Sequence, residues 1–184
     1  LDNNWYLDGN NASVVSSDGN KTTVQMGSGY RGDLWLARSG KGKIVNVTPA
    51  DYRYFAIKVG FKSQLVPGKN KPNGCIKLEI FDDGIKKIGP EYFGTGGDAN
   101  NRYEILGASE ISTTEPNVLY YDLQSKYKTV TPTDWNQVFD LVQCKFVIAD
   151  FPETAQTYDL YWIRSFKSIE ELQAFVDSEN NTNE

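Results

Sequence analysis

Short apolar runs separated by turn residues are the feature that most limits how this chain can fold. Before Ser168 no long stretch repeats its apolar residues at helical spacing, and the runs end at Gly, Asn, Asp or Pro. Such spacing is typical of a sandwich or barrel. We therefore predict an all-β fold, a two-sheet antiparallel β-sandwich of jelly-roll type. The predicted strands are 22–26, 34–37, 44–47, 54–61, 76–81, 85–88, 103–106, 118–123, 139–149 and 158–166.

Two of these strands carry stronger expectations. The strand 54–61 is apolar on both faces except at Lys58, as expected of a central strand that is covered on both sides. In the strand 158–166 the period of two places Leu160, Trp162 and Phe166 on one face. We therefore expect the Trp162 ring to be buried between the sheet layers.

A short helix is predicted to close the domain. Ser168 and Glu171 have the spacing of a capping box, in which each side chain accepts a hydrogen bond from the other end of the first turn. The apolar stripe that follows predicts a helix over about 168–176. The polar residues 178–184 are predicted to fray, and residues 1–177 are predicted to form a single domain.

Composition excludes several classes of function. The 184 residues include no histidine, which removes Ser-His-Asp and Cys-His catalysis and the usual zinc site. The net charge of −5 and the scattered basic residues disfavour binding to nucleic acid. No apolar run approaches the roughly 20 residues that span a bilayer. No membrane span is expected in this chain.

The two cysteines are predicted to be separate thiols. By strand parity, Cys75 shares a face with Lys77 and Glu79, whereas Cys144 lies with Phe146 on an apolar face. Opposite burial of this kind disfavours a disulfide between them, although a bend or a bulge would defeat the argument.

The end of the chain resembles a known family. The segment 161–168 (YWIRSFKS), followed by Glu170, Glu171 and Leu172, resembles the closing signature of a domain of unknown function. That domain is found in surface and secreted glycan-utilisation proteins of gut Bacteroidetes. The segment 52–59 (YRYFAIKV) resembles another strand of the family. The resemblance implies a galactose-binding-like jelly roll with a glycan-related role.

The chain departs from that signature at Tyr161, where the family has an acidic residue before the tryptophan. Asp159 lies two positions earlier. In related sugar-binding jelly rolls such an aspartate often serves a structural calcium, so a calcium ion near Asp159 stays an open alternative. A second alternative for calcium is the oxygen-rich loop around Asp98. No other cofactor is expected.

Aromatic and planar polar side chains outside the predicted core are candidates for sugar binding. Sugars bind through stacking on flat apolar rings and through hydrogen bonds to their hydroxyls. One group stands at the glycine-flanked segment 29–35, a predicted turn, and another adjoins the glycine-rich region 89–101. Core packing remains the alternative for each aromatic residue alone. The candidate ligand-binding residues are Tyr30, Arg31, Trp35, Tyr92, Asn100, Arg102 and Trp135.

These features predict a non-catalytic glycan-binding module of a secreted or surface glycan-utilisation protein. Its expected partners are an oligosaccharide or polysaccharide and other domains of a larger protein. A structural or protein-interaction sandwich is the alternative. A glycoside hydrolase that uses carboxylates alone is a third hypothesis, but no paired-carboxylate motif supports it. No catalytic residue is therefore assigned.

Overall fold

The computed structural model describes residues 7–27, 31–38, 45–47, 51–62, 76–81, 103–122, 139–141, 143–149 and 156–181. Within these residues the chain forms twelve strands and one helix. They are β1 (Asp8–Asn10), β2 (Ala12–Ser17), β3 (Thr22–Met26), β4 (Arg31–Arg38), β5 (Val45–Val47), β6 (Tyr54–Phe61), β7 (Ile76–Phe81), β8 (Glu104–Ile105), β9 (Asn117–Asp122), β10 (Phe139–Leu141), β11 (Gln143–Ala149), β12 (Thr157–Phe166) and α1 (Ile169–Asn181).

The strands form two main antiparallel sheets. The six-stranded sheet has the order β2-β3-β12-β6-β9-β8, and the four-stranded sheet has the order β1-β4-β11-β7. A two-stranded ribbon joins β10 to β5. The predicted all-β sandwich with a C-terminal helix is confirmed.

The main core lies between the two sheets. The six-stranded sheet contributes fully buried residues such as Ile57 and Leu160, and the four-stranded sheet contributes Leu34 and Phe146. The Phe146 ring meets the Tyr158 ring of the opposite sheet edge-on, with centroids 5.8 Å apart. Burial of each such side chain contributes about 1.5–3 kcal/mol of transfer free energy. This packing holds the sheets face to face.

The cysteine prediction is tested only at Cys144. Its side chain is buried in the core between the sheets, together with Phe146 and Ile148, as strand parity predicted. Cys75 lies outside the described residues. The assignment of two separate thiols therefore stays a prediction.

The strand 54–61 has the position that its sequence predicted. β6 lies inside the six-stranded sheet, between β12 and β9. Phe55, Ile57 and Val59 face the four-stranded sheet, whereas Ala56 packs on the opposite face beneath the helix. Lys58 lies on that second face as well, and its ammonium meets a glutamate of the helix. The strand is covered on both sides.

One predicted strand is wrong as a single element. The run 139–149 forms two strands that pair with different partners. β10 pairs with β5 in the ribbon, whereas β11 pairs with β4 and β7 in the four-stranded sheet. A continuous strand signal does not reveal where a chain changes its pairing partner, because both segments carry strand-forming residues.

A bulge in β12 overturns the predicted position of Trp162. The register against β6 shifts between Leu160 and Trp162, so Tyr161 is an extra residue with no partner of its own. Leu160 and Ile163 face the other sheet, whereas Tyr161 and Trp162 both lie on the outer face. Trp162 is buried as predicted, but beneath α1 rather than between the sheets. A bulge flips the parity of every later residue.

The helix begins where the capping box predicted. The Ser168 Oγ accepts a hydrogen bond from the backbone N–H of Glu171 at 3.2 Å. The Glu171 carboxylate reaches back to the N–H of Lys167 at 2.7 Å, one residue before the expected partner. Both hydrogen bonds of a capping box therefore form, but Glu171 accepts from the residue before Ser168 rather than from Ser168 itself.

The end of the helix differs from the prediction. α1 continues to Asn181, so residues 178–181 are helical rather than frayed. Glu179 explains this extension, because its Oε2 accepts hydrogen bonds from Trp162 Nε1 at 3.0 Å and Lys58 Nζ at 3.1 Å. These contacts tie the last turn to the sheet. No helix in the described part of the chain is long and apolar enough to cross a membrane.

Candidate functional site

Most residues that the sequence suggested for ligand binding lie outside the described part of the chain. Only Arg31 and Trp35 are placed, and both belong to β4. The glycine-flanked turn predicted around them is therefore wrong from Arg31 onward, because that stretch continues into a strand of the four-stranded sheet. The candidates outside the described residues are Tyr30, Tyr92, Asn100, Arg102 and Trp135, together with Asp98 as a calcium ligand.

Trp35 takes part in an ion-pair cluster on the outer face of the four-stranded sheet. Lys145 Nζ lies 4.2 Å from the centroid of the Trp35 ring, a favourable cation–π distance. The same ammonium is 3.3 Å from the Asp33 carboxylate, which is buried. Lys145 thus occupies one face of the Trp35 ring. That face is closed to a stacking sugar.

Asp159 is held by lysine side chains. Its Oδ2 accepts a hydrogen bond from Lys21 Nζ at 2.8 Å, its Oδ1 accepts one from Thr23 Oγ1 at 2.7 Å, and Lys62 Nζ lies 3.9 Å away. Burial alone would raise the pKa of Asp159. The hydrogen bonds from Lys21 and Thr23 and the lysine charges outweigh burial and lower that pKa below its ordinary value. In this structure ammonium groups neutralise the carboxylate.

No second acidic group joins Asp159 to form a metal site in the part of the chain that the structure describes. There, no three His, Cys, Asp or Glu side chains converge in the manner that a metal ion requires. Asp98 lies outside those residues.

Within the described residues, a groove on the outer face of the six-stranded sheet is the best candidate for a functional site. We call it the helix groove. It has a volume of about 880 Å³, within the usual range for ligand sites. Its floor is the sheet surface at Lys58, Val118 and Tyr161, and its walls are α1 and the loop between β8 and β9. The walls contribute Leu106, Ser112, Glu115, Pro116, Gln173, Val176, Asp177, Glu179 and Asn180.

Asn117 holds the loop wall in a fixed shape. This residue is buried, and its amide oxygen accepts a hydrogen bond from the Ser112 N–H at 2.7 Å. Its amide nitrogen donates to the Ser112 carbonyl at 2.9 Å and lies 3.4 Å from the Val59 carbonyl on β6. Ser112 Oγ accepts in turn from the N–H groups of Thr114 and Glu115. Hydrogen bonds to the side chains of Asn117 and Ser112 thus take the place of regular hydrogen bonds between strands, and they fix the shape of the wall before a ligand binds.

The helix wall presents polar side chains at regular spacing. Gln173, Val176, Asp177 and Asn180 follow the i, i+3, i+4, i+7 pattern of one helix face. Gln173 Nε2 donates to Asp177 Oδ1 at 2.8 Å, which fixes two of these groups relative to each other. The wall therefore offers two amides and a carboxylate to a bound molecule.

Tyr161 lies in the floor, at the bulge of β12. A regular strand would turn Tyr161 and Trp162 to opposite faces, but here both lie outward, Trp162 under the helix and Tyr161 in the open groove. The Tyr161 ring passes close to Gly60 on β6, where a β-carbon would lie 3.4 Å from its Cε2. Lys58 Nζ is 5.8 Å from the ring centroid. Bulges often re-aim a side chain next to a functional site.

Sequence patterns could not show the helix groove, because its residues come from distant segments and appear in the sequence as ordinary polar surface. Regular alternation from Leu160 predicts that Tyr161 faces outward, but no sequence pattern shows that the helix leaves its ring in an open groove.

Comparisons with known proteins identify the family. A family model described as a domain of unknown function, DUF4979, matches residues 1–172. No curated protein matches, and no solved structure matches. The match ends inside α1, so the helix residues that line the groove lie beyond it. Because the model covers most of the sequence, the chain belongs to the DUF4979 family of domains of unknown function.

Proposed function

We propose that this domain binds glycans without catalysis and that the helix groove is its binding site. The observation that carries the proposal is the position of Tyr161. Its half-buried ring lies in the floor of a groove whose walls bring amide and carboxylate groups from α1 and the loop after β8. Flat apolar surface beside planar hydrogen-bonding groups matches the two kinds of surface on a sugar ring.

The rigidity of the groove supports the same proposal. Oligosaccharides lose conformational freedom when they bind, so a site that is already ordered loses less affinity to ordering of its own side chains. The Asn117 amide fixes the loop wall, and Glu179 ties the helix wall to the sheet through Lys58 and Trp162.

The biological setting is part of the proposal. We propose that this domain belongs to a secreted or surface protein that uses glycans, the setting in gut Bacteroidetes that the sequence resemblance implies. A polysaccharide or an oligosaccharide is then the partner, and the domain acts beside other domains of a larger protein. The lack of histidine in the whole sequence favours binding over nucleophilic catalysis.

A matched pair of tyrosine variants tests the proposal. Tyr161→Ala should weaken binding to glycans found on a broad array by roughly tenfold, because loss of stacking costs about 1–2 kcal/mol. Tyr52→Ala is the control, since Tyr52 is exposed elsewhere and also has a lysine near its ring, with Lys167 Nζ 5.5 Å from the centroid. Affinity electrophoresis with each glycan that the array identifies gives the measurement.

The outcomes separate the hypotheses. Equal affinity of wild type, Tyr161→Ala and Tyr52→Ala would move the binding site away from the helix groove. Absence of binding across plant and host polysaccharides would remove the proposal. Release of reducing sugar that Asp177→Asn abolishes would instead establish a carboxylate-only hydrolase.

A protein-interaction role is the second candidate, favoured by one observation. Val14 and Val15 are 37% and 56% exposed on β2, an edge strand of the six-stranded sheet. An exposed apolar edge can pair with a strand of another chain. Val15→Lys should abolish such pairing and leave glycan binding unchanged, so pull-down with neighbouring domains separates the two roles.

A further inference from the structure

We propose that the helix groove is selective for uncharged oligosaccharides and rejects glycans that carry uronic acid or sulfate. This inference rests on the proposed function, because it names the class of sugar that the same site accepts. It comes from the charges that line the groove and from the pairing of the lysines nearby.

Carboxylates outnumber cations in the described lining. Glu115 lies on the loop wall, Asp177 and Glu179 lie on the helix wall, and Lys58 lies in the floor. Lys58 Nζ is 3.1 Å from the Glu179 carboxylate, so this ammonium already has an acidic partner. Glu115 and Asp177 are both exposed and stand on opposite walls. A ligand in the groove therefore meets negative charge from two sides.

The lysines beside the groove are paired as well. Lys21 Nζ lies 2.8 Å and Lys62 Nζ lies 3.9 Å from the Asp159 carboxylate. An anionic sugar that used one of them would have to replace an existing ion pair. Like charges brought within a few ångströms in a partly desolvated groove repel more strongly than in bulk water. Hydroxyl groups of neutral sugars carry no such penalty and can donate hydrogen bonds to the same carboxylates.

The test compares neutral and anionic glycans on one array, with wild type and a double variant. Glu115→Gln with Asp177→Asn keeps the size and much of the hydrogen-bonding capacity of both walls but removes two negative charges. Wild type should bind neutral members only. The double variant should raise the ratio of anionic to neutral affinity by roughly tenfold, whatever its change in affinity for neutral members.

A control variant separates the effect of charges in the groove from the effect of the net charge of the protein. Asp51→Asn with Glu110→Gln changes the net charge of the protein equally, at exposed residues that do not line the groove. It should leave the preference for neutral glycans unchanged. A gain of anionic binding by this variant equal to that of the double variant would overturn the proposal, because the effect would then come from overall charge.

Failure of the inference and failure of the proposed function give different results. If wild type binds a sulfated or uronic glycan and Tyr161→Ala abolishes that binding, the groove binds glycans but the selectivity is wrong. If the double variant gains nothing for anionic glycans, the wall carboxylates do not exclude them. If wild type binds no glycan at all, the proposed function fails and this inference fails with it.

Discussion

The two faces of the six-stranded sheet are built differently. The inner face packs against a second sheet through buried residues of β3, β6, β9 and β12, and most of these residues follow strand alternation. The outer face is covered by a single helix that leaves an open groove beside it. The inner face therefore specifies the fold, whereas the partly covered outer face has room for a ligand.

The largest expected effect concerns the bulge in β12, which determines the face of the sheet on which each residue after Leu160 lies. Deleting Arg164 would turn Phe166 from the outer face to the inner one, and we expect loss of more than about 4 kcal/mol of stability. Deleting Tyr161 would leave Trp162 opposite Lys58 and restore regular alternation, so we expect a loss below about 2 kcal/mol. Denaturant unfolding measures both. Equal losses would show that the bulge is needed for folding itself.

The next effect compares packing on the two faces. Phe146→Ala on the inner side and Trp162→Ala under the helix should each cost about 3–5 kcal/mol, because both remove a large buried ring. Trp162 also packs edge-on against Phe175, with centroids 5.3 Å apart. Thermal melts give the comparison, with Trp162→Phe as a control that keeps an aromatic ring but loses the indole N–H and part of the ring system. A cost near 1 kcal/mol for Trp162→Ala would mean that the helix is a loosely held cover.

A smaller effect concerns the charged part of the outer face. Because the folded pKa of Asp159 is lowered, its ion pairs stabilise the protein above the unfolded pKa. This contribution is lost as the pH falls through the folded pKa. Asp159→Asn should cost about 1–2 kcal/mol at neutral pH and nothing in strong acid. Unfolding measured from pH 7 to pH 2 checks this; a constant difference between the two proteins would contradict the assignment.

The smallest effect concerns the start of the helix. Ser168→Ala should cost about 1 kcal/mol, because the Glu171 N–H loses its capping partner. Ser168→Asp, which keeps a capping oxygen, should restore most of that stability. If Ser168→Ala leaves the melting temperature unchanged, packing of Leu172 and Glu179 alone holds the helix against the outer face.

Regular alternation made much of the fold predictable from the sequence. The predicted bounds 22–26, 54–61 and 76–81 agree with β3, β6 and β7. The short strands β1 and β2 were not predicted, because their residues are mostly polar or small and carry little strand signal. The position of Trp162 was mispredicted for a different reason. A bulge shifts the register between two paired strands, and this register depends on the partner strand rather than on the local sequence.

The candidate site was far less predictable than the fold. Its lining combines Tyr161, Asn117 and the helix residues from Gln173 onward, which strand and helix pairing bring together. Each of these residues alone is typical of ordinary surface. Only the tertiary structure brings these polar groups into one groove with the Tyr161 ring. The sequence patterns pointed to aromatic residues in loops instead.

The order of the strands has a consequence for how the protein forms during synthesis. β12 separates β2 and β3 from β6, β9 and β8, and β11 stands between β4 and β7. The central place in each sheet therefore stays vacant until the ribosome has delivered residues 143–166. Earlier strands have exposed edges throughout that interval, and pairing across such long separations is slow. We expect the nascent chain to depend on protection from aggregation until β12 inserts and both sheets close around the late-arriving strands.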